Sequence, residues 1–334
     1  MILAGDVGGT KSNLALFTME GGTLSPLIER TLPSAEYPGL EDVIREFLNQ
    51  ATSHQSLTTT DQISSACFGV AGPVVDDRCE TPNLPWTITV PGLKAALGLE
   101  TVKLINDLEA TGYGIPLLGS KELVTLNEGS FRQKGNAALI AAGTGLGEAM
   151  LYWDGGDFIP IASEGGHADF APRNVLEIEL LRYLLDRFGR VSYERVVSGP
   201  GLFNIYSFLR DAGYGEEPAW LTERLQQDDP SAAIGEAALD NRCELCVKAL
   251  DMLVSIYGAE AGNLALKVMA VGGVFIGGGI APKIIEKLRD GTFMRAFTDK
   301  GRLSSVLEAI PVRVILNPKT ALFGAARRAT LLQK

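Results

Sequence analysis

An α/β protein of two domains, organised around a repeated strand–turn–strand unit, is the fold class this 334-residue sequence predicts. Three observations carry that expectation. Gly5-Asp6-Val7-Gly8-Gly9-Thr10 lies between two runs that read as strands, Ile2-Leu3-Ala4 and Asn13 to Phe17. The pattern returns in mid-chain, where Ala138 to Ala142 leads into Gly143-Thr144-Gly145-Leu146-Gly147 and then Ala149 to Tyr152. A third glycine turn, Gly277-Gly278-Gly279, follows the apolar run Val271 to Ile276 and precedes a helix expected over Pro282 to Leu288. The chain length favours about two domains.

The turns suggest chemistry as well as shape. Without Cβ atoms, backbone N–H groups converge on one point and form an anion-binding nest. Asp6 would repel a bare phosphate unless Mg²⁺ lay between them, so the first turn suggests a metal–nucleotide site. An ordinary Gly-Gly hairpin turn explains the same residues. The second copy favours the nucleotide reading, with two phosphate loops in a duplicated fold clamping one nucleotide. Gly8-Gly9-Thr10-Lys11-Ser12 is not a P-loop, because the G-x-x-x-x-G-K-[ST] spacing is absent and a strand follows instead of a helix.

Each element follows from its pattern. After the opening hairpin come a strand at Leu27 to Leu32 and a helix over Leu40 to Ala51, with Leu40, Val43, Ile44, Phe47 and Leu48 at helical spacing. Ser53 to Gln62 is a polar loop in which His54 is expected to be solvated. Ile63 to Val70 reads as a buried strand ending at Ala71-Gly72-Pro73. A further hairpin, a helix near Leu93 to Leu97 and the strand Val102 to Ile105 complete the first third. That strand runs into Asn106-Asp107 ahead of a helix beginning at Leu108. Ligands collect outside the carboxyl ends of strands in open α/β sheets, so an acid there is well placed for chemistry; a plain helix cap is the other reading. The second half becomes helix-rich, over Val175 to Phe188, Gly201 to Ala212, Ala219 to Gln227 and Ala232 to Ala265. A last strand, Val312 to Leu316, precedes a helix over Ala321 to Leu332 that is expected to return to the first domain. The domains expected are therefore 1–112 plus 312–334, and 113–311.

Composition excludes several classes. Hydrophobic residues make up 46%, enough for full cores, and the net charge of −10 argues against nucleic acid or an anionic membrane as partner. The absence of a basic leader, and of any apolar run long enough to span a bilayer, leads us to expect a cytoplasmic protein. The segment Val268 to Pro282 is too glycine-rich for a membrane span. The four cysteines fit a reducing compartment. Cys243 and Cys246 form C-x-x-C, but they lie in a charged, helix-like run with no second Cys or His pair at metal spacing.

Six segments, in order and at fitting spacing, resemble one family. They are Gly5 to Thr10, Ile105-Asn106-Asp107, Ala142 to Gly147, Glu164-Gly165-Gly166-His167-Ala168-Asp169-Phe170, Ser192 to Leu202, and Gly272 to Pro282. The chain resembles the bacterial glucokinases that lack the zinc motif, within the actin-like/sugar-kinase ATPase superfamily. That resemblance implies an actin-like ATPase (ribonuclease H-like) fold with a nucleotide/sugar cleft between a smaller α/β domain and a larger α+β domain. It implies transfer of the ATP γ-phosphoryl group to the 6-hydroxyl of glucose, with ATP and Mg²⁺ as cofactors and a homodimer as the assembly. By the same match Asp107 is the catalytic base, and Asn106, Asp107, Glu164, His167 and Glu194 meet the sugar. Gly5, Asp6, Val7, Gly8, Gly9, Thr10, Gly143, Thr144, Gly145, Gly278 and Gly279 hold ATP, and Asp6 acts through Mg²⁺.

The physical reading agrees with this assignment. Reading a ring of hydroxyls needs carboxylates, amides and imidazole spaced around a pocket. A carboxylate base near its ordinary pKa of about 4 suffices for a loose phosphoryl-transfer transition state. Zinc fails at ligand count, since no cysteine follows His167 until Cys243. For His167 a buried structural histidine stays open, and for Glu194 a surface pair with Arg195. Trp86 either lines the pocket or fills core. A kinase of another hexose or of an N-acetylhexosamine, and a non-catalytic sugar sensor of the same fold, are the alternatives. A sugar-responsive repressor would need a DNA-binding module, and only four residues precede Gly5. A serine hydrolase would need a G-x-S-x-G that the sequence lacks.

Overall fold

The computed structural model describes residues 1–53, 63–131 and 134–333. The polar loop expected over 53–62, His54 included, lies outside the described residues except for Ser53, which closes a helix. Along the chain come β1 (Ile2–Val7), β2 (Lys11–Glu20), β3 (Thr23–Pro33), α1 (Leu40–Ser53), β4 (Ser65–Val70), β5 (Arg78–Glu80), β6 (Thr87–Thr89), α2 (Val90–Leu97), β7 (Val102–Asn106) and α3 (Asp107–Gly114). Then follow β8 (Leu123–Asn127), β9 (Ala137–Ala142), β10 (Leu146–Trp153), β11 (Phe158–Ser163), α4 (Val175–Phe188), α5 (Gly199–Asp211), α6 (Ala219–Gln227), α7 (Pro230–Leu239) and α8 (Glu244–Val268). The chain ends with β12 (Gly273–Gly277), α9 (Ile285–Arg289), α10 (Thr292–Thr298), α11 (Ser304–Glu308), β13 (Val312–Ile315) and α12 (Thr320–Leu331).

Two compact units divide the chain: Met1–Gly119 with Phe158–Ala162 and Asn317–Lys334, and Ser120–Asp157 with Ser163–Leu316. These differ from the expected divisions after 112 and before 312. The reason at the second boundary is strand pairing, because β13 joins β12 in parallel within the second sheet and only the helix after it belongs to the first unit.

The first unit has a sheet in the order β3-β2-β1-β4-β7. β2 runs antiparallel to β1, whereas β4 and β7 run parallel to it in succession. Helices cover both faces, so β1 and β4 are apolar almost throughout instead of alternating. Leu3, Val7, Leu14 and Leu16 pack with Val43, Ile44 and Phe47 of α1 on one face. Ile2, Ala4, Ala15 and Phe17 pack with Leu322, Ala325, Ala326 and Ala329 of α12 on the other. The terminal helix thus returns to this unit. It crosses α3 backbone to backbone: a Cβ on Gly324 would collide with the Ala110 carbonyl oxygen, and one on Gly114 with that of Thr320.

Within the second unit's sheet runs the order β10-β9-β12-β13-β8. β9 pairs antiparallel with β10 and parallel with β12, which pairs parallel with β13. The run β10-β9-β12-β13 repeats β2-β1-β4-β7 strand for strand. The duplication expected from the glycine turns is therefore a duplication of topology.

The helix expected over Ala232 to Ala265 is two helices, α7 and α8. Asn241 ends the first with φ +54°, the left-handed conformation that Asn tolerates and that terminates helices. Its N–H donates to the Ala238 carbonyl at 3.0 Å. No helix among the described residues is long and apolar enough to cross a membrane.

Candidate active site

In the first unit, strand register sets the site. Val7 pairs with Val70, and Val70 with Asn106, so β1, β4 and β7 end level at one carboxyl edge. That edge presents the turn Gly8 to Thr10, the segment Ala71-Gly72 and Asp107. The Ala71 N–H donates to the Val7 carbonyl at 3.0 Å, and Asn106 Nδ2 donates to the Gly72 carbonyl at 3.1 Å.

Asn106 N-caps α3. Its Oδ1 accepts from the Leu108 N–H at 2.8 Å, and Glu109 Oε2 accepts from the Asn106 N–H at 3.0 Å, a reciprocal capping box. The cap is thus supplied by Asn106 rather than by Asp107. Asn106 is 9% exposed, and its side chain ties the helix start to the Gly72 loop. Asp107 is the first residue of α3 and half-buried, with Oδ1 accepting from the Leu108 N–H at 2.9 Å. A helix N-terminus favours negative charge, which suits a carboxylate here.

Asp6, at the end of β1, accepts from Asn13 Nδ2 at 3.2 Å. Burial pushes its carboxyl above the usual range, with the Asn13 bond and Lys11 acting the other way. Lys11 offsets that burial only in part, and a cation beside the carboxylate would offset more of it. Among the described residues no three His, Cys, Asp or Glu side chains gather to hold a metal. One carboxylate, with the remaining ligands drawn from phosphate and water, fits Mg²⁺ bound together with a nucleotide. Within Gly5 to Thr10, the strand residues Gly5 and Val7 are packing positions. A Cβ on Gly5 would lie 2.6 Å from the Phe68 ring and 2.8 Å from Leu14. Gly8, Gly9 and Thr10 form the turn, which the Gly8 N–H closes on the Lys11 carbonyl at 3.0 Å.

The second unit repeats the edge. Ala141 of β9 pairs with Gly277 of β12, so the turn Gly143 to Gly145 and the pair Gly278-Gly279 emerge side by side. The Gly199 N–H at the start of α5 donates to the Gly143 carbonyl at 2.8 Å, and the Ile280 N–H to that of Ala142 at 3.2 Å. Gly278 has φ +81°, and a Cβ on it would strike the Ala142 backbone. Gly143 and Gly279 border open space.

Glu194 Oε2 accepts from the Leu146 N–H at 3.0 Å, which fixes this carboxylate against the 143–147 turn. Arg195 is not its partner; the guanidinium lies over the Phe188 ring at 4.2 Å. Glu164 precedes and His167 closes a short 3-10 turn, Gly165–His167, with the His167 N–H donating to the Glu164 carbonyl at 3.0 Å. Both side chains are exposed, so His167 is not a buried structural histidine. The Tyr193 N–H donates to the Ala168 carbonyl at 3.0 Å, which brings the turns bearing His167 and Glu194 together.

Other candidates resolve more simply. Trp86 is 3% exposed, with Nε1 donating to the Tyr37 carbonyl at 3.0 Å, and it fills core. Cys243 and Cys246 are buried free thiols at the start of α8. Sequence reasoning missed Glu148, an acid buried to 1% exposure under the Glu164–His167 turn. Its signal was an acid in β10 immediately before the apolar run Ala149-Met150-Leu151.

Comparison with known proteins bears on the whole chain. A family model described as Glucokinase matches residues 3–332. A glucokinase of Nostoc punctiforme is 42% identical across 99% of both chains. One of Synechocystis sp. is 43% identical over 97% of this chain and 96% of that protein. Among solved structures, a glucokinase from an Antarctic psychrotroph superposes with a TM-score of 0.83 at 30% identity, covering 99% of this chain and 98% of that one.

Proposed function

The chain belongs to the glucokinase family, and from that premise we infer that it transfers the γ-phosphoryl group of ATP to the 6-hydroxyl of glucose with Asp107 as the general base. The observation that supports this base is the level ending of β1, β4 and β7, which sets Asp107 on the same edge as the Asp6–Thr10 turn. Asp107 takes the proton of the 6-hydroxyl as that oxygen bonds to the γ-phosphorus. The bond from that phosphorus to the bridging oxygen breaks, and ADP leaves with the electron pair. Mg²⁺, held through Asp6, neutralises phosphate charge when bound. The turns at Gly8 to Thr10, Gly143 to Gly145 and Gly278-Gly279 supply backbone donors, so an acidic protein grips polyphosphate locally.

Glu164, His167 and Glu194 accept and donate hydrogen bonds with sugar hydroxyls, and Asn106 orients the helix start that carries the base. Specificity for glucose follows from polar groups left unpaired when a hydroxyl is missing or inverted. We infer that the enzyme acts in the cytoplasm, as a homodimer.

Initial rates over a sugar panel with ATP and Mg²⁺ test the reading. Glucose is expected to give the highest kcat/KM, with mannose and N-acetylglucosamine lower by at least about tenfold. Equal values for any of these would reassign the substrate, and ATP turnover indifferent to sugar would remove the kinase assignment.

A further inference from the structure

Under the turn that carries Glu164 and His167 lies a buried acid with no obvious reason to be there. Glu148, on β10, is 1% exposed. Its Oε2 packs against Gly165, where a Cβ would collide with it, and its Oε1 is a buried oxygen with no hydrogen-bond partner. On α8, the fully buried Glu260 raises its carboxyl and Lys267 lowers it, and the charge of Glu148 itself acts on the phenol of Tyr257. Glu260 in turn accepts from Asn263 Nδ2 at 2.8 Å and from Tyr193, and Lys267 Nζ lies 3.5 Å from it. Tyr193 immediately precedes Glu194, and Gly165 immediately follows Glu164. Glu148 therefore lies against the turn that follows Glu164, and Glu260, whose charge acts on it, is tied to the residue before Glu194.

An ionised carboxylate with an unpartnered oxygen, next to a second buried acid, is costly to keep charged. The neutral acid removes the like-charge repulsion and turns one oxygen into a donor. We propose that Glu148 is a positioning residue for the sugar-side turns, seating Glu164 and Glu194 only while its carboxyl carries its proton. Burial, and then Glu260, push this carboxyl up to about 7, against the pull of Lys267. The proton is therefore lost within the working range of a cytoplasmic enzyme. Losing it places a second negative charge beside Glu260, and Gly165, with no side chain to hold it, is the backbone that yields.

The inference rests on the sugar-binding reading above. Its test is the pH dependence of KM for glucose and for ATP, measured separately on the full chain. In the wild type the glucose KM is expected to rise above neutrality, by up to about tenfold per pH unit, while the ATP KM stays level. Glu148→Gln keeps the shape and stays neutral, so it is expected to hold the low glucose KM across the whole range. Glu148→Leu is expected to raise the glucose KM at every pH. A Glu148→Gln profile that rises like the wild type would overturn the proposal, as would equal changes in both KM values. Glu164→Ala runs alongside as a control. If it leaves the glucose KM unchanged, the sugar-site reading fails and the role of Glu148 fails with it.

Discussion

The two sheets share a strand order but end differently. At the carboxyl edge of the first stand two acids, Asp6 and Asp107, on a strand end and a helix start. At the matching edge of the second stand glycines, braced by the first residue of α5 and by Ile280. Their interiors differ in the same sense. Among the described residues, the buried acids Glu148, Glu177 and Glu260 all lie in the second unit, whereas the buried polar groups of the first are Ser12, Ser34, Ser65, Asn106 and Thr320. The first unit thus sets these acids at a strand end and a helix start, and the second encloses acids in its interior.

The largest test of that division is at the first edge. Asp107→Ala is expected to lower kcat by on the order of 10²–10⁴ while leaving glucose affinity within about tenfold. Stopped turnover with retained sugar binding, by calorimetry or intrinsic fluorescence, is the signature. A variant that kept most of its kcat would remove the base assignment and leave the two edges functionally alike.

The interiors give a smaller test. Glu177 accepts from Arg173 Nη2 at 2.7 Å, the Arg173 N–H at 2.8 Å and Asn174 Nδ2 at 3.0 Å. Arg173→Met strands much of that carboxylate and is expected to cost about 3 kcal/mol, at the low end for breaking a buried pair. In the first unit Ser65 Oγ donates to the Ala329 carbonyl at 3.2 Å. Ser65→Ala is expected to cost about 1 kcal/mol, as for a neutral hydrogen bond. Chemical denaturation of both variants measures the ratio, and equal losses would mean the charged interior carries no extra weight.

What the sequence revealed, and what it hid, follows the same physics. Glycine turns were legible as sharp breaks between apolar runs, and they located both edges; at Gly278 a side chain would strike the Ala142 backbone. Asp107 was legible as an acid at a strand end. The partner of Glu194 was not: Arg195 is adjacent in sequence, yet its guanidinium stacks on Phe188 while the carboxylate turns to the Leu146 N–H. The break between α7 and α8 hid in a run that is apolar on both sides, because one residue in a left-handed conformation ends a helix without altering its periodicity. Glu148 hid for a related reason. Polar residues in a strand ordinarily mark its solvent face, but β10 is covered at this position on both faces, so the acid is enclosed.

The smallest effect is expected at the cysteines, where the two units behave alike. Cys67 and Cys79 lie in the first unit and Cys243 and Cys246 in the second, and all four are buried and unpaired. Burial pushes the Cys67 thiol up to about 12, and burial together with the neighbouring Cys243 raises Cys246 as well. Thiolate is the reactive and metal-binding form, and all four side chains are buried away from reagent, so slow reaction is expected while the chain is folded. A thiol reagent should therefore label the native protein slowly, at a rate that tracks unfolding, and the double variant Cys243→Ser, Cys246→Ser should keep wild-type kcat and KM with only a modest loss of stability. Fast labelling of the second pair alone, or loss of turnover on its removal, would restore a redox or metal role to the C-x-x-C and make the units unequal at this level too.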